Sequence, residues 1–345
     1  MEQVAGLRIV AHGRRWMEDL PGSPLRWLLT PAWLPYRLAV ALRGAAYDQG
    51  LARSTRLGVP VISIGNLTAG GTGKTPAALA VVERLRARGR RPAILSRGYR
   101  GIDGVNEEAL LAGDVPVVCD PDRIAGGKRA LAAGADCLVL DDGFQHRRLH
   151  RDLDVALIDA TRPWGMADGS RGAVLPLGYL REGRGALRRA GLLWITRADL
   201  VAPERLAALR AQLSPFAPLV EERIRDADLT ALDGTAAEPV AGWRGRPVVL
   251  ASGIGNPAGF EAAARLLGLE PVASHRFPDH HHYVAADAAL LADAARSAGA
   301  VLVVTGKDAV KLAMFPRMRD ARVLAVRSGL VDPAPLDAAL ASLLP

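Results

Sequence analysis

The sequence predicts an α/β protein: a mostly parallel sheet flanked by helices, followed by a second, smaller α/β domain and preceded by an amphipathic helical segment. Three observations predict this. From Val61 onward, short β-branched apolar runs alternate with stretches of helical periodicity, the pattern of a parallel sheet covered on both faces. Between Asp226 and Gly245 that pattern gives way to small and polar residues, and from Pro247 it restarts with a new strand, turn and helix. Ahead of Val61, aromatic and basic residues surround a helical pattern. The expected divisions are residues 1–56, a helical segment at a membrane interface; 57–230, the larger domain; and 231–345, the smaller one, with a linker in the Asp226–Gly245 stretch.

The first segment carries Trp27, Trp33 and Tyr36 around Pro31 and Pro35, and helical periodicity runs from Arg37 to about Arg56. Its longest uncharged run, Trp27 to Tyr36, falls far short of the roughly 20 apolar residues a membrane-spanning helix needs. Trp16, Trp27, Trp33 and Tyr36 lie among Arg14, Arg15, Arg26, Arg37 and Arg43. Such a mixture suits a membrane interface, with rings at headgroup level and arginines on lipid phosphates. It equally suits a helical hairpin packed on the larger domain, and the two readings are compatible.

Val61 to Gly65 is a β-branched strand that feeds Asn66-Leu67-Thr68-Ala69-Gly70-Gly71-Thr72-Gly73-Lys74-Thr75-Pro76, and helical periodicity follows from Ala77 to Leu85. A glycine-rich turn between strand and helix lets successive backbone N–H groups face an anion, and the helix N-terminus adds partial positive charge. Thr68, Ala69, Gly70, Gly71, Thr72, Gly73, Lys74 and Thr75 are therefore expected to wrap the phosphates of a nucleotide, with Lys74 on the β/γ-phosphates and the Thr75 hydroxyl on Mg2+. Thr68 stands where the consensus P-loop has its first glycine, so the match is to the tighter Gly-Gly-x-Gly-Lys-Thr version. The fold is accordingly of P-loop NTPase type.

Further strands are expected at Arg91 to Tyr99, Val115 to Cys119, Leu138 to Leu140, Val155 to Asp159 and Leu192 to Thr196, with a helix from Asp122 to Ala133. The strand ending in Asp141-Asp142 sits where P-loop proteins bring an aspartate to the Mg2+ shell, so Asp142 or its neighbour Asp141 is the expected ligand. In the smaller domain, Pro247 to Gly255 reads as strand and turn, Pro257 to Leu267 as helix, and Val301 to Thr305 and Val323 to Val326 as strands. His280, His281 and His282 are consecutive and have no Cys or Glu at ligand spacing, so one of them as a general base or phosphate contact is expected rather than a metal centre.

Half of the 345 residues are hydrophobic and 23% are charged, which excludes a disordered chain. A net charge of +8 points to an anionic partner without choosing among nucleotide, nucleic acid and membrane. Two cysteines, Cys119 and Cys137, make no disulfide framework, so a reducing compartment is expected. No secretory signal is expected either, since charged residues interrupt every early apolar run.

Taken together, Gly65 to Pro76, Leu95-Ser96-Arg97-Gly98-Tyr99, Pro121-Asp122-Arg123, Asp141-Asp142-Gly143-Phe144-Gln145-His146, Leu180-Arg181-Glu182, Phe277-Pro278-Asp279-His280-His281 and Thr305-Gly306-Lys307-Asp308-Ala309-Val310-Lys311 resemble, in content and order, the tetraacyldisaccharide 4'-kinase (lipid A 4'-kinase) family. The resemblance covers nearly the whole chain. It implies transfer of the γ-phosphate of ATP to the 4'-hydroxyl of a tetraacylated glucosamine disaccharide 1-phosphate, with Mg2+, by a monomer bound peripherally at the cytoplasmic face of the inner membrane. Nucleic acid is not an expected partner. His280 is expected as the base, with Lys74 and Asp142 as the other catalytic groups and Glu182 as a further carboxylate at the metal. Where the family has Gly-Asp-Glu-Pro, with the aspartate paired to the catalytic histidine, this chain reads Asn106-Glu107-Glu108-Ala109. Glu107 is the expected partner of His280, with Glu108 and Asp279 as alternatives, and Gly306 replaces the family's glutamate.

The competing class is a nucleotide switch, a GTPase or metallochaperone-like ATPase acting on a protein partner. Thr196-Arg197-Ala198-Asp199 has some likeness to a guanine-reading signature, although arginine stands in place of its lysine. No recognised nucleic-acid-binding motif supports a third reading as a nucleic-acid-binding protein.

Overall fold

The computed structural model describes residues 2–4, 7–11, 24–98, 114–165, 172–279 and 281–343. β1 (Glu2–Val4) and β2 (Leu7–Ala11) come first, then α1 (Thr30–Asp48), β3 (Val61–Asn66), α2 (Lys74–Ala87), β4 (Pro92–Ser96), β5 (Val117–Cys119), α3 (Arg123–Ala132), β6 (Cys137–Asp141) and β7 (Leu153–Asp159). There follow β8 (Leu192–Thr196), α4 (Pro203–Leu213), β9 (Leu219–Ala231), β10 (Ala237–Pro239), β11 (Pro247–Ser252), α5 (Pro257–Leu266) and β12 (Glu270–Arg276). The last elements are α6 (Ala285–Ser297), β13 (Val301–Val304), α7 (Gly306–Leu312), β14 (Arg322–Leu330) and α8 (Ala334–Ala341).

The chain divides into two compact units, Leu20–Glu222 with Leu330–Pro345, and Met1–Asp19 with Arg223–Gly329. These do not follow the three consecutive segments 1–56, 57–230 and 231–345. Two pieces of chain cross over. β2 pairs parallel with β12, which carries the first residues into the smaller unit, and α8 buries Leu336 and Leu340 in the core of the larger one. Each such fully buried leucine contributes roughly 1.5–3 kcal/mol, enough to fix the helix there.

The sheet of the larger unit runs in the order of the start of β9, then β8, β7, β3, β6, β4 and β5, with every pairing parallel. All residues of β3, β4, β6, β7 and β8 are buried, as unbroken apolar runs demand when both faces are covered. On one face Val81, Val82 and Leu85 of α2 pack with Ile62, Val155 and Leu336. On the other, Leu206, Leu209 and Leu213 of α4 pack with Ile158, Phe144 and Trp164.

In the smaller unit β2, β12, β11, β13 and β14 are neighbours in parallel, and β1 adds an antiparallel edge. The expected linker Asp226–Gly245 is mostly ordered secondary structure: β10 folds back antiparallel on β9, Ala237 opposite Thr230, and Leu229, Val240 and Trp243 enter a core. Its alternating burial lies within polar sequence, which hid the strand.

α1 starts earlier and ends earlier than the expected Arg37 to Arg56. Pro31 sits in its first turn, where the missing N–H costs nothing, and Gly50 follows its end at φ 73°. None of its residues is buried. Leu34, Leu38 and Leu42, spaced four apart and so on one face, are 61%, 56% and 61% exposed, and Trp27 and Leu28 lie exposed just before them. No described helix is long and apolar enough to cross a membrane.

Candidate active site

β3 lies between β6 and β7, at the point from which the chain builds outward to either side, and such switch points open a crevice at the carboxyl ends of the strands. The loop after β3 is shaped for close approach of an anion. Gly70 and Gly73 adopt φ of 116° and 86°, a region closed to most side chains, and Gly73 caps the N-terminus of α2. No acidic residue occupies the first turn of α2, so its exposed N–H groups retain their attraction for negative charge.

The rest of the loop is held from behind. Ala69 N–H donates to Tyr179 O at 2.8 Å, Thr68 bridges to Leu180, and its hydroxyl accepts from Asn66 Nδ2 at 3.4 Å. The Thr196 hydroxyl donates to Thr72 O at 3.1 Å, and Arg197 donates to Gly71 O at 3.3 Å while ion-paired with Asp159.

Lys74 is the first residue of α2, and its Nζ lies 3.5 Å from Asn66 Oδ1 and 3.6 Å from Asp142 Oδ1. The Thr75 hydroxyl donates to Asp141 Oδ2 at 3.3 Å. Asp141 is brought there by the pairing of β6 with β3, which sets it opposite Ile64. At 4% exposure, burial pushes its carboxyl above the usual range; Lys74 pulls the other way, and the adjacent Asp142 charge adds to the rise. Its Oδ1 is buried with no hydrogen-bond partner among the described residues. An orphaned carboxylate oxygen beside a threonine hydroxyl is a hard oxygen donor set of the kind Mg2+ takes, so these residues fit that ion.

Asp142 adopts φ 55°, the left-handed region, which costs a non-glycine residue on the order of 1 kcal/mol or more. Burial alone would raise its carboxyl. Lys74 and Arg181 reverse this and hold it below the usual range, with one Arg181 nitrogen 2.9 and 2.8 Å from the two carboxylate oxygens. A strand-end carboxylate pair, one open and one clamped, thus faces the lysine of a glycine loop.

The tetraacyldisaccharide-1-P 4'-kinase family, LpxK, matches residues 25–345. The chain belongs to this family. The tetraacyldisaccharide 4'-kinase of Anaeromyxobacter sp. (strain K) is 46% identical over 94% of this chain and 92% of its own length. That of Geobacter metallireducens is 40% identical over 92% of this chain and 98% of its own. A crystal structure of LpxK from Aquifex aeolicus in complex with ATP is 27% identical, covers 93% of this chain and all of that one, and superposes with a TM-score of 0.67.

Within this LpxK chain the structure brings together Lys74, Thr75, Asp141 and Asp142 of the residues singled out from sequence. Glu182 is ion-paired with Arg189 at 3.0 Å. Glu107, Glu108 and His280 lie outside the described residues, as do Arg14, Arg15 and Trp16.

Three residues belong to the site without having been assigned a role in it. Asn66 contacts Lys74; Gln145 donates from Nε2 to Asn66 O at 2.9 Å and accepts from Arg181 at 3.3 Å; Arg181 clamps Asp142. The signal for Asn66 was a polar residue ending an apolar strand, and for Arg181 its place beside Glu182. These same residues anchor α1. The Tyr36 hydroxyl donates to Arg181 O at 3.3 Å, and Arg43 donates to Gln145 O at 2.9 Å. Arg147 adds an ion pair to Asp48 at 2.8 Å. His146, half-buried and with Arg123, Arg148, Arg151 and Arg43 nearby, is pushed down to about 4, desolvation being the largest cause, which favours the neutral ring at physiological pH.

Proposed function

We propose a division of labour among these residues in the reaction of the family. As a tetraacyldisaccharide 4'-kinase, the chain is a lipid kinase of lipid A biosynthesis that moves the γ-phosphoryl group of ATP to the 4'-hydroxyl of a tetraacylated disaccharide 1-phosphate. The bond from Pγ to the β–γ bridging oxygen breaks, the 4'-oxygen bonds to Pγ, the hydroxyl gives up its proton, and ADP leaves. The observation that carries the site assignment is the open, buried oxygen of Asp141 next to Thr75, with Lys74 at the helix N-terminus alongside.

The loop Thr68 to Thr75 and the N-terminus of α2 bind and orient the phosphates, and Lys74 neutralises charge on them. Thr75, Asp141 and Asp142, with Glu182 as a further carboxylate lining the site, would hold Mg2+, which when bound offsets charge on the phosphate oxygens. Arg181 keeps Asp142 ionised and Asn66 keeps Lys74 in place. His280 takes the hydroxyl proton, oriented by a carboxylate assigned to Glu107. Arg197, committed to Asp159 and to Gly71 O, is occupied on the loop, which argues against the guanine-reading role of a switch GTPase.

The exposed leucine face of α1 belongs on an anionic bilayer, and the enzyme works there as a peripheral monomer at the cytoplasmic face of the inner membrane, with no nucleic-acid partner. Four acyl chains hold the substrate in the lipid phase at about 0.8 kcal/mol per buried CH2, so the enzyme meets it at the surface. Turnover of ATP against GTP, with and without the acylated disaccharide phosphate, tests the assignment. Phosphate should reach the lipid from ATP, and lipid-independent hydrolysis of GTP would reject it. A pH profile of kcat tests the base: the acidic limb should vanish in His280→Ala and move to lower pH in Glu107→Gln, and an unchanged limb in both rejects the pair.

A further inference from the structure

One buried carboxylate of the smaller unit, Asp308, gathers donors from three separate segments. Asp308, at 0% exposure in the first turn of α7, accepts on Oδ1 from Gly253 N at 3.0 Å and from the Tyr283 hydroxyl at 2.9 Å, and on Oδ2 from the Thr305 hydroxyl at 2.6 Å. The Tyr283 ring meets Phe277 edge-on at 5.0 Å and His281 at 4.9 Å, and the His281 ring stacks on Phe277 at 4.8 Å. His281 Nε2 lies 2.9 Å from Asp287 Oδ2, an oxygen that also accepts from Val284 N at 3.0 Å. Main-chain bonds add to this: Phe277 N donates to Ser252 O at 2.8 Å, and His281 N to Pro278 O at 3.1 Å.

There is no slack in the arrangement. A Cβ at Gly253 would stand 3.1 Å from Asp308 Oδ1, 3.2 Å from Pro278 O and 3.3 Å from His281 Cβ. The residues before and after His280 are therefore tied to the ends of β11, β12 and β13 at once. Burying a carboxylate costs free energy that apolar packing would not, and three donors aimed at one acid fix geometry more than they add stability.

We infer that Asp308 is a positioning residue: through Tyr283, Thr305 and Gly253 N, and with the His281–Asp287 pair, it fixes the main chain on both sides of His280 so that the histidine is presented to the acceptor hydroxyl. The inference rests on the reading of His280 as proton acceptor. It gives Thr305 and Asp308 a task of their own, distinct from phosphate binding. Misplacing a catalytic group by about 1 Å costs up to roughly 100-fold in rate, so small losses in this clamp are measurable.

The test uses full-length enzyme, MgATP and the tetraacylated disaccharide 1-phosphate. Tyr283→Phe keeps the ring and removes one donor; Asp308→Asn keeps the shape and is the second variant. Each should lower kcat about tenfold with KM for ATP within about twofold of wild type, since positioning acts on the transition state. Hydrogen exchange of the 277–283 peptide should speed up in both. On a His280→Ala background the same substitutions should cause no further loss of kcat, because the clamp then has nothing to position. An equal loss with and without His280, or unchanged exchange, would overturn the positioning role alone. Wild-type kcat in His280→Ala would overturn the proton-acceptor reading and the positioning role with it.

Discussion

Replacing Asp142 by Asn isolates the electrostatic design of the site. The substitution keeps the shape and the left-handed backbone, which Asn tolerates, but removes the charge that faces Arg181 at 2.8 Å and Lys74 at 3.6 Å. At an effective dielectric of 20 the Lys74 pair alone is worth roughly 4–5 kcal/mol before desolvation. Desolvation cancels much of this, and hydrogen bonds to charged groups contribute about 1.5–3 kcal/mol net, so a loss of about 2–3 kcal/mol is expected. For a unit of roughly 200 residues that lowers Tm by about 5–10 °C. The pH dependence identifies the cause. The folded carboxyl is held below its unfolded value of 3.8, so the stabilisation is fully present above that value and is lost as pH falls through the folded pKa. Thermal melts by circular dichroism between pH 7 and pH 3 should show a constant gap between wild type and variant down to about pH 4, closing below it. A gap that widens in acid, or no gap at neutral pH, would refute the account.

Lys74→Ala should reduce kcat by about 100-fold or more with the fold intact, since charge neutralisation on the phosphates is most of what the protein supplies; near-normal turnover in a radiolabelled ATP assay would remove the loop from the mechanism. Asp141→Asn should behave in the opposite way to Asp142→Asn in the free enzyme. Its folded pKa is raised, so the ionised form opposes folding and stability falls as pH rises through that value; the variant should melt no lower than wild type at pH 7, yet gain less from MgATP than the roughly 2.7 kcal/mol expected at a ligand concentration of 100 Kd. Exchanging Leu34, Leu38 and Leu42 together for Glu should cut binding to anionic vesicles by at least about 100-fold, because each buried leucine is worth roughly 1.5–3 kcal/mol, while turnover of detergent-dispersed substrate stays near wild type; flotation unaffected by the triple change would rule out this face.

How far the sequence could be read follows from how local each cause is. β3, β6, β7 and β8 are buried end to end, and their unbroken apolar runs show it without further context. The glycine loop and Lys74 are likewise contiguous. β9 and β10 were hidden because the charged side of a half-exposed strand resembles a linker, and β1, β2 and α8 because short segments give no hint of which distant core accepts them. At the site the same division holds. Asp141 and Asp142 were marked by ending a strand, whereas the pairing of Glu182 with Arg189 depends on a residue seven places away across a turn. The role of Gln145, which links Asn66 to Arg181, exists only once three separate segments have met.

The interleaving of the two units bears on how the protein is made. β2 pairs in parallel with β12, some 260 residues later in the chain, and the larger core is closed by Leu336 and Leu340. At ribosomal speeds of about 5–20 residues per second, the first strand pair therefore waits roughly 15–50 s for its partner. During that interval Leu7 and Ile9, both buried in the finished fold, have no core to enter. Neither unit can be completed as it emerges, so the nascent chain must hold apolar strand edges unsatisfied until residues 334–341 have been made, and truncation before them would leave the nucleotide-binding unit with an open face.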